Sequence, residues 1–143
     1  MRKITPILVL MGCTLAPFAA AEGELVSTSA EGSVVYFLAP TDGATVDGTF
    51  AVKFGLRGMG VAPAGIDKAN TGHHHLLVDH AGDIDYVQPL PATDQLVHFG
   101  GGQTETQVTL APGRHTLQLV LGNYLHIPHD PPVTSEIITI TVR

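Results

Sequence analysis

Thr49-Phe50-Ala51-Val52-Lys53-Phe54-Gly55-Leu56 alternates strictly: Phe50, Val52, Phe54 and Leu56 fall on one side, Thr49, Ala51, Lys53 and Gly55 on the other. Successive residues of a strand point to opposite faces, so this is the period of a half-buried β-strand. The period recurs along the chain. Residues 104–110 put Thr106, Val108 and Leu110 on one side, and 114–121 put His115, Leu117, Leu119 and Leu121 together. Residues 136–142 turn Ile138, Ile140 and Val142 inward. Residues 33–39 are apolar enough for a buried strand. Residues 73–79, 96–99 and a short 83–87 piece bring the predicted total to seven or eight strands.

Turn signals separate these runs: Pro40-Thr41-Asp42-Gly43, Val46-Asp47-Gly48 and Pro112-Gly113. Residues 57–72, rich in Gly, Ala and Pro, and residues 122–133 read as long loops. No stretch of helical period lies outside the N-terminal apolar segment. Many short strands with frequent turns predict an all-β fold, an immunoglobulin-like antiparallel β-sandwich, with a cupredoxin-like Greek key as the close alternative. The 143 residues suffice for one domain and not two.

The N-terminus reads as a signal peptide over residues 1–21. Arg2 and Lys3 are its basic region, residues 4–15 its apolar stretch, and Ala19-Ala20-Ala21 the small residues before a cut at Glu22. The apolar stretch is too short for an ordinary membrane span. A flexible leader over 22–32 and a single sandwich domain over 33–143 follow. The expected location is the periplasm or the extracellular space, with no transmembrane span in the mature protein. A rival reading is a lipoprotein anchored through Cys13, since Leu10-Met11-Gly12-Cys13 resembles a lipobox, although Met11 is atypical there.

Seven Lys and Arg against thirteen Asp and Glu give a net charge of −6. Loss of Arg2 and Lys3 with the signal makes it −8 in the mature chain. Five scattered cations form no basic patch, which argues against a nucleic-acid partner. A negative surface favours cations. Cys13 is the only cysteine, so cleavage leaves neither disulfide nor thiolate.

The compositional outlier is histidine: His73, His74, His75, His80, His98, His115, His126 and His129, all in the second half of the chain. On a strand, His73 and His75 project to one face, with Leu77 and Asp79 continuing it. His74, Leu76 and Val78 take the other face, toward the core. Two imidazoles at i and i+2 form a chelating pair for copper or zinc. His126 and His129 sit in a proline-restricted loop, and His98 immediately precedes Phe99 and the flexible Gly100-Gly101-Gly102. If these segments share one end of the sandwich, His73, His75, His98, His126 and His129 form a metal site, with Glu105 near enough in sequence to add an oxygen. The absence of thiolate and the single mature methionine, Met59, leave nitrogen and carboxylate ligands, which suit Cu(II) or Zn(II). The same residues also admit plainer roles. His115, alternating with leucines, is expected to hydrogen-bond a backbone carbonyl, His80 to be solvated, and the loop histidines to bond one another and the backbone. Clustered imidazoles also suit a pH-responsive surface.

No Walker-type lysine follows the triple glycine, and Gly-x-Ser-x-Gly and His-Glu-x-x-His motifs are absent. A metal-activated water with Glu105 or Asp79 as base is conceivable chemistry, but nothing marks a substrate pocket. The chain is therefore expected not to be an enzyme.

Gly72-His73-His74-His75-Leu76-Leu77-Val78-Asp79, His98-Phe99-Gly100-Gly101-Gly102-Gln103-Thr104-Glu105, Pro112-Gly113-Arg114-His115-Thr116-Leu117-Gln118-Leu119 and His126-Ile127-Pro128-His129-Asp130-Pro131-Pro132 stand in this order. Together they resemble a family of small exported bacterial domains of unknown function, over most of residues 34–143. The resemblance implies an exported domain with signature histidines and transfers no activity. Two functions are expected from the sequence: a periplasmic Cu(II)- or Zn(II)-binding protein or, as an alternative, a non-catalytic envelope module that recognises a protein or glycan.

Overall fold

A computed structural model describes residues 25–143. The signal peptide of residues 1–21 and the Cys13 lipobox lie outside the described residues. Among the described residues the fold is all-β, and no helix is long and apolar enough to cross a membrane. The strands are β1 (Val34–Ala39), β2 (Thr45–Val46), β3 (Thr49–Arg57), β4 (Gly60–Val61), β5 (Thr71–Val78), β6 (Leu96–His98), β7 (Glu105–Thr109), β8 (Gly113–Gly122) and β9 (Ile138–Val142).

Two sheets pack as a β-sandwich. The smaller has the order β1-β3-β7 and is antiparallel throughout. The larger has the order β2-β9-β8-β5-β4, with β6 also paired to β5. The carbonyls of Gly72 and His74, which share one edge of β5, accept from Ala62 and Phe99 respectively. β4 and β6 thus share that edge. The larger sheet is mixed, because β2–β9 and β4–β5 pair in parallel.

The alternating residues of β3 explain the packing. Phe50, Val52 and Phe54 join Val35 against Leu76 and Val78 of β5, Leu117, Leu119 and Leu121 of β8, and Ile138, Ile140 and Val142 of β9. A second cluster lies on the opposite face of the larger sheet, where Leu77 and Val120 meet Leu90 and Leu96, with Ile84 packed against them. β5 is therefore buried on both faces, and every residue from Gly72 to Val78 is buried.

Two sequence expectations need correction. Residues 57–72 are not all loop: β4 lies within them and β5 already begins at Thr71. Residues 83–87 are not a strand. Ile84, within that stretch, packs on the second cluster. The described part of the predicted leader is hydrogen-bonded to the segment after β8. Ser29 donates to the Asp130 carbonyl and Asp130 to the Ser27 carbonyl, both at 3.0 Å.

Leu119 is fully buried between the sheets. Leu119→Ala is expected to lower unfolding stability by about 2–5 kcal/mol, measured by urea denaturation. A loss below about 1 kcal/mol would contradict the assignment of this face as the tightly packed core.

Candidate metal centre

The strand period divides the histidine triplet. His74 points between the sheets, its ring 5.1 Å from that of Phe54. His73 and His75 point to the outer face of the larger sheet, on the side of Leu77. In the β5–β6 register His98 stands directly opposite His75, and it therefore shares that face. On β8 the residue opposite His73 is Gly122. A Cβ at Gly122 would come within 2.6 Å of the His75 ring, so the imidazole occupies space that only glycine leaves free.

His126 arrives from the segment after β8, which folds back over this face. The His126 amide donates to the Asn123 carbonyl at 2.9 Å, and the Asn123 amide donates to the Ile127 carbonyl at 2.8 Å. His126 itself has φ +67°, a left-handed conformation uncommon outside glycine, which the surrounding turn must hold. Gly122 and Pro128 form an isolated bridge that closes the loop.

The result is a four-imidazole group. One ring nitrogen each from His73, His75, His98 and His126 lies within 4.8 Å of all the others. His73 Nε2 and His126 Nδ1 are 3.1 Å apart. His98 stacks on His75 at 5.4 Å between ring centroids and meets His126 edge-on at 4.4 Å. His73 and His75 are wholly buried, His126 is half-buried, and His98 is exposed. The group is closed from below by the sheet and open beside His98.

Electrostatics keep the floor neutral. Burial, reinforced by the neighbouring imidazoles, lowers the His73 pKa to about 4 and the His75 pKa to about 3. Burial and then His98 lower that of His126. A neutral imidazole has a free lone pair, the form that ligates metal. His73 Nδ1 and both nitrogens of His75 are buried without a hydrogen-bond partner. Unpaired buried polar atoms are costly, and a cation would satisfy one of the two nitrogens on His75.

The other predicted participants lie elsewhere. His129 is buried, but its Nε2 lies 3.1 Å from the Thr71 carbonyl and its Nδ1 3.4 Å from that of Leu121, so both nitrogens face backbone oxygens. Glu105 is on the smaller sheet, 3.8 Å from Lys53, and adds no oxygen to the group. Asp79 faces His115: its Oδ2 lies 2.6 Å from His115 Nδ1 and its Oδ1 accepts from the Thr116 amide. His115 Nε2 sits 2.8 Å from the Ala111 carbonyl, and the Asp79 hydrogen bond, followed by that carbonyl, raises the ring's pKa. The segments converge over the outer face of the sheet, not at an end of the sandwich.

Sequence reasoning missed Asn123, Gly100 and Gly122. Asn123 was detectable as an Asx-turn residue following a glycine. Gly122 carries no sequence signal, because its role is to leave room for a ring that arrives from β5; Gly100 was legible only as part of a flexible link, and its role is to leave room for the His98 ring two residues earlier.

The family model described as "Domain of unknown function (DUF4399)" matches residues 52–143, well over half of the chain. The chain belongs to the DUF4399 family. The matched span contains every histidine of this DUF4399 chain, while β1 and the 25–30 segment precede it. No curated protein and no solved structure matches the chain.

The buried rings also predict acid sensitivity. In the unfolded chain they take up protons near pH 6.5, whereas His73, His74 and His75 stay neutral in the fold down to about pH 4 or below. Falling pH thus protonates the unfolded chain first, and stability is lost as pH drops through this window. Thermal unfolding of metal-free protein, followed by circular dichroism, should show Tm falling by several degrees from pH 6.5 to 4. A flat Tm would contradict the neutral, buried state of these rings.

Proposed function

We propose that this DUF4399 protein is a periplasmic, non-catalytic binder of a transition-metal ion, Cu(II) or Zn(II), held by His73, His75, His98 and His126. The supporting observation is that four ring nitrogens gather within 4.8 Å on residues from β5, β6 and the loop after β8. Tetrahedral Zn–N bonds of about 2.0–2.1 Å place neighbouring ligand atoms about 3.3 Å apart. The 3.1 Å between His73 Nε2 and His126 Nδ1 already suits that spacing. Small side-chain rotations draw in the rest.

The donor set selects the ion. Four imidazoles with neither thiolate nor thioether favour borderline divalent ions, and Cu(II) binds most strongly in the general order. Four neutral ligands leave the charge of a bound divalent ion uncancelled, in a protein whose own net charge is negative. His98 is the ligand that solvent reaches, so ions enter and leave on its side. Such a site fits handling, buffering or delivery of an ion.

Calorimetric titration of untagged protein with Zn(II) and Cu(II) tests the reading. One ion per chain is expected. His98→Ala removes an exposed ligand with little risk to folding and should weaken binding by at least the roughly 10- to 100-fold that loss of a ligand's supporting partner commonly costs. His73→Ala should weaken it further. Binding no tighter than millimolar, or unchanged in both variants, overturns the proposal.

Gly100 offers a test that changes no ligand. A Cβ there would lie 2.5 Å from His98 Cε1 and Nε2. The ring is exposed and swings away at little cost to the fold. Gly100→Ala should weaken metal binding about tenfold while leaving Tm of the metal-free protein within a few degrees. Unchanged affinity would remove His98 from the ligand set.

A further inference from the structure

We infer that Asn123 is a positioning residue that couples the metal ligand His126 to the docking of the chain's own N-terminal segment, Leu25–Ser29. This inference rests on the metal-binding reading and adds a regulatory link to the same site.

Asn123 is 1% exposed, and its carboxamide is used at both ends. Oδ1 accepts from the Leu125 amide at 2.9 Å and from the Ile127 amide at 3.1 Å, the residues on either side of His126. Nδ2 donates to the Leu25 carbonyl at 2.8 Å and to Ser27 Oγ at 3.0 Å. One rigid planar group therefore holds the turn that presents His126 and the segment that lies about a hundred positions earlier in the chain. The left-handed φ of His126 is uncommon for a residue with a side chain, and the turn held by Asn123 supports it. The Leu90 amide adds a bond to the His126 carbonyl at 2.9 Å from the other side.

The segment is docked by a short ladder on the same loop. Besides the paired Ser29 and Asp130 amide bonds, Thr28 and Asp130 form a parallel bridge, and Ser29 Oγ donates to the Pro131 carbonyl at 2.8 Å. This ladder is short and lies partly at the surface, which places its opening among the cheaper local fluctuations of the fold. An ion that fixes His126 restrains the turn around Asn123 and so favours the docked segment. Linkage requires the reverse as well: a docked segment tightens the ion.

The experiment compares full-chain protein with Asn123→Asp and Ser27→Ala, using zinc alone for affinity and Co(II) as a coloured probe of ligand geometry. Asn123→Asp keeps the acceptor that holds the turn and removes both donors to the segment. Zinc affinity is expected to fall about tenfold in Asn123→Asp and less in Ser27→Ala, with the Co(II) visible bands altered in the former. Zinc should slow amide hydrogen exchange at Ser29 and Asp130 in the unaltered protein and not in Asn123→Asp. If Asn123→Asp does not fold, Ser27→Ala and the exchange measurement on unaltered protein decide alone. Zinc binding with no added protection at Ser29 and Asp130 overturns the coupling and leaves the metal site standing. No zinc binding by the unaltered protein overturns both.

Discussion

Strand β5 is buried on both faces, and the rest of the molecule is arranged around that burial. Leu76 and Val78 go inward against β3, while Leu77 goes outward to Leu90, Leu96 and Val120. A strand between solvent and core needs one apolar face. This one needs a cover on each side, so β6 lies along its edge and the 122–133 segment folds over it. The imidazoles come together through that second covering. His73 and His75 occupy outward positions that the cover seals, and the covering elements supply His98 and His126.

Packing and chemistry are consequently hard to separate. The outward face of β5 is apolar at Leu77 and imidazole-lined at His73 and His75. A buried imidazole with no hydrogen-bond partner does nothing for folding that an aliphatic side chain of similar volume would not do better. His129 makes the contrast plain, since both of its nitrogens face backbone carbonyls and it ties strand to loop. His115 is likewise engaged at both nitrogens, by Asp79 and by the Ala111 carbonyl. His75 has no such employment, and it lies in the group that can hold an ion.

His74 is a different case. It is wholly buried between the sheets beside Phe54, with neither ring nitrogen paired, on the opposite side of β5 from the cluster. Burial lowers its pKa to about 4, so it sits in the core as a neutral ring. It belongs to the acid sensitivity of the domain and not to the metal group.

Period-two alternation in β3, β7, β8 and β9 was enough to determine an all-β sandwich and most of its inward residues, because strand geometry maps sequence position to face without reference to any partner. The same rule split His73 and His75 from His74. Position in sequence does not determine which strand stands beside which. The β5–β6 register placed His98 opposite His75, and the turn organised by Asn123 brought in His126 and left His129 on the backbone. Gly122 became part of the site only where β8 lies beside β5 closely enough for a side chain to collide with the His75 ring, and Gly100 where the chain leaving β6 bends back against the His98 ring. The contacts that bring His98, His126 and Gly122 to His73 and His75 join residues tens of positions apart, and the packing of the whole chain decides them.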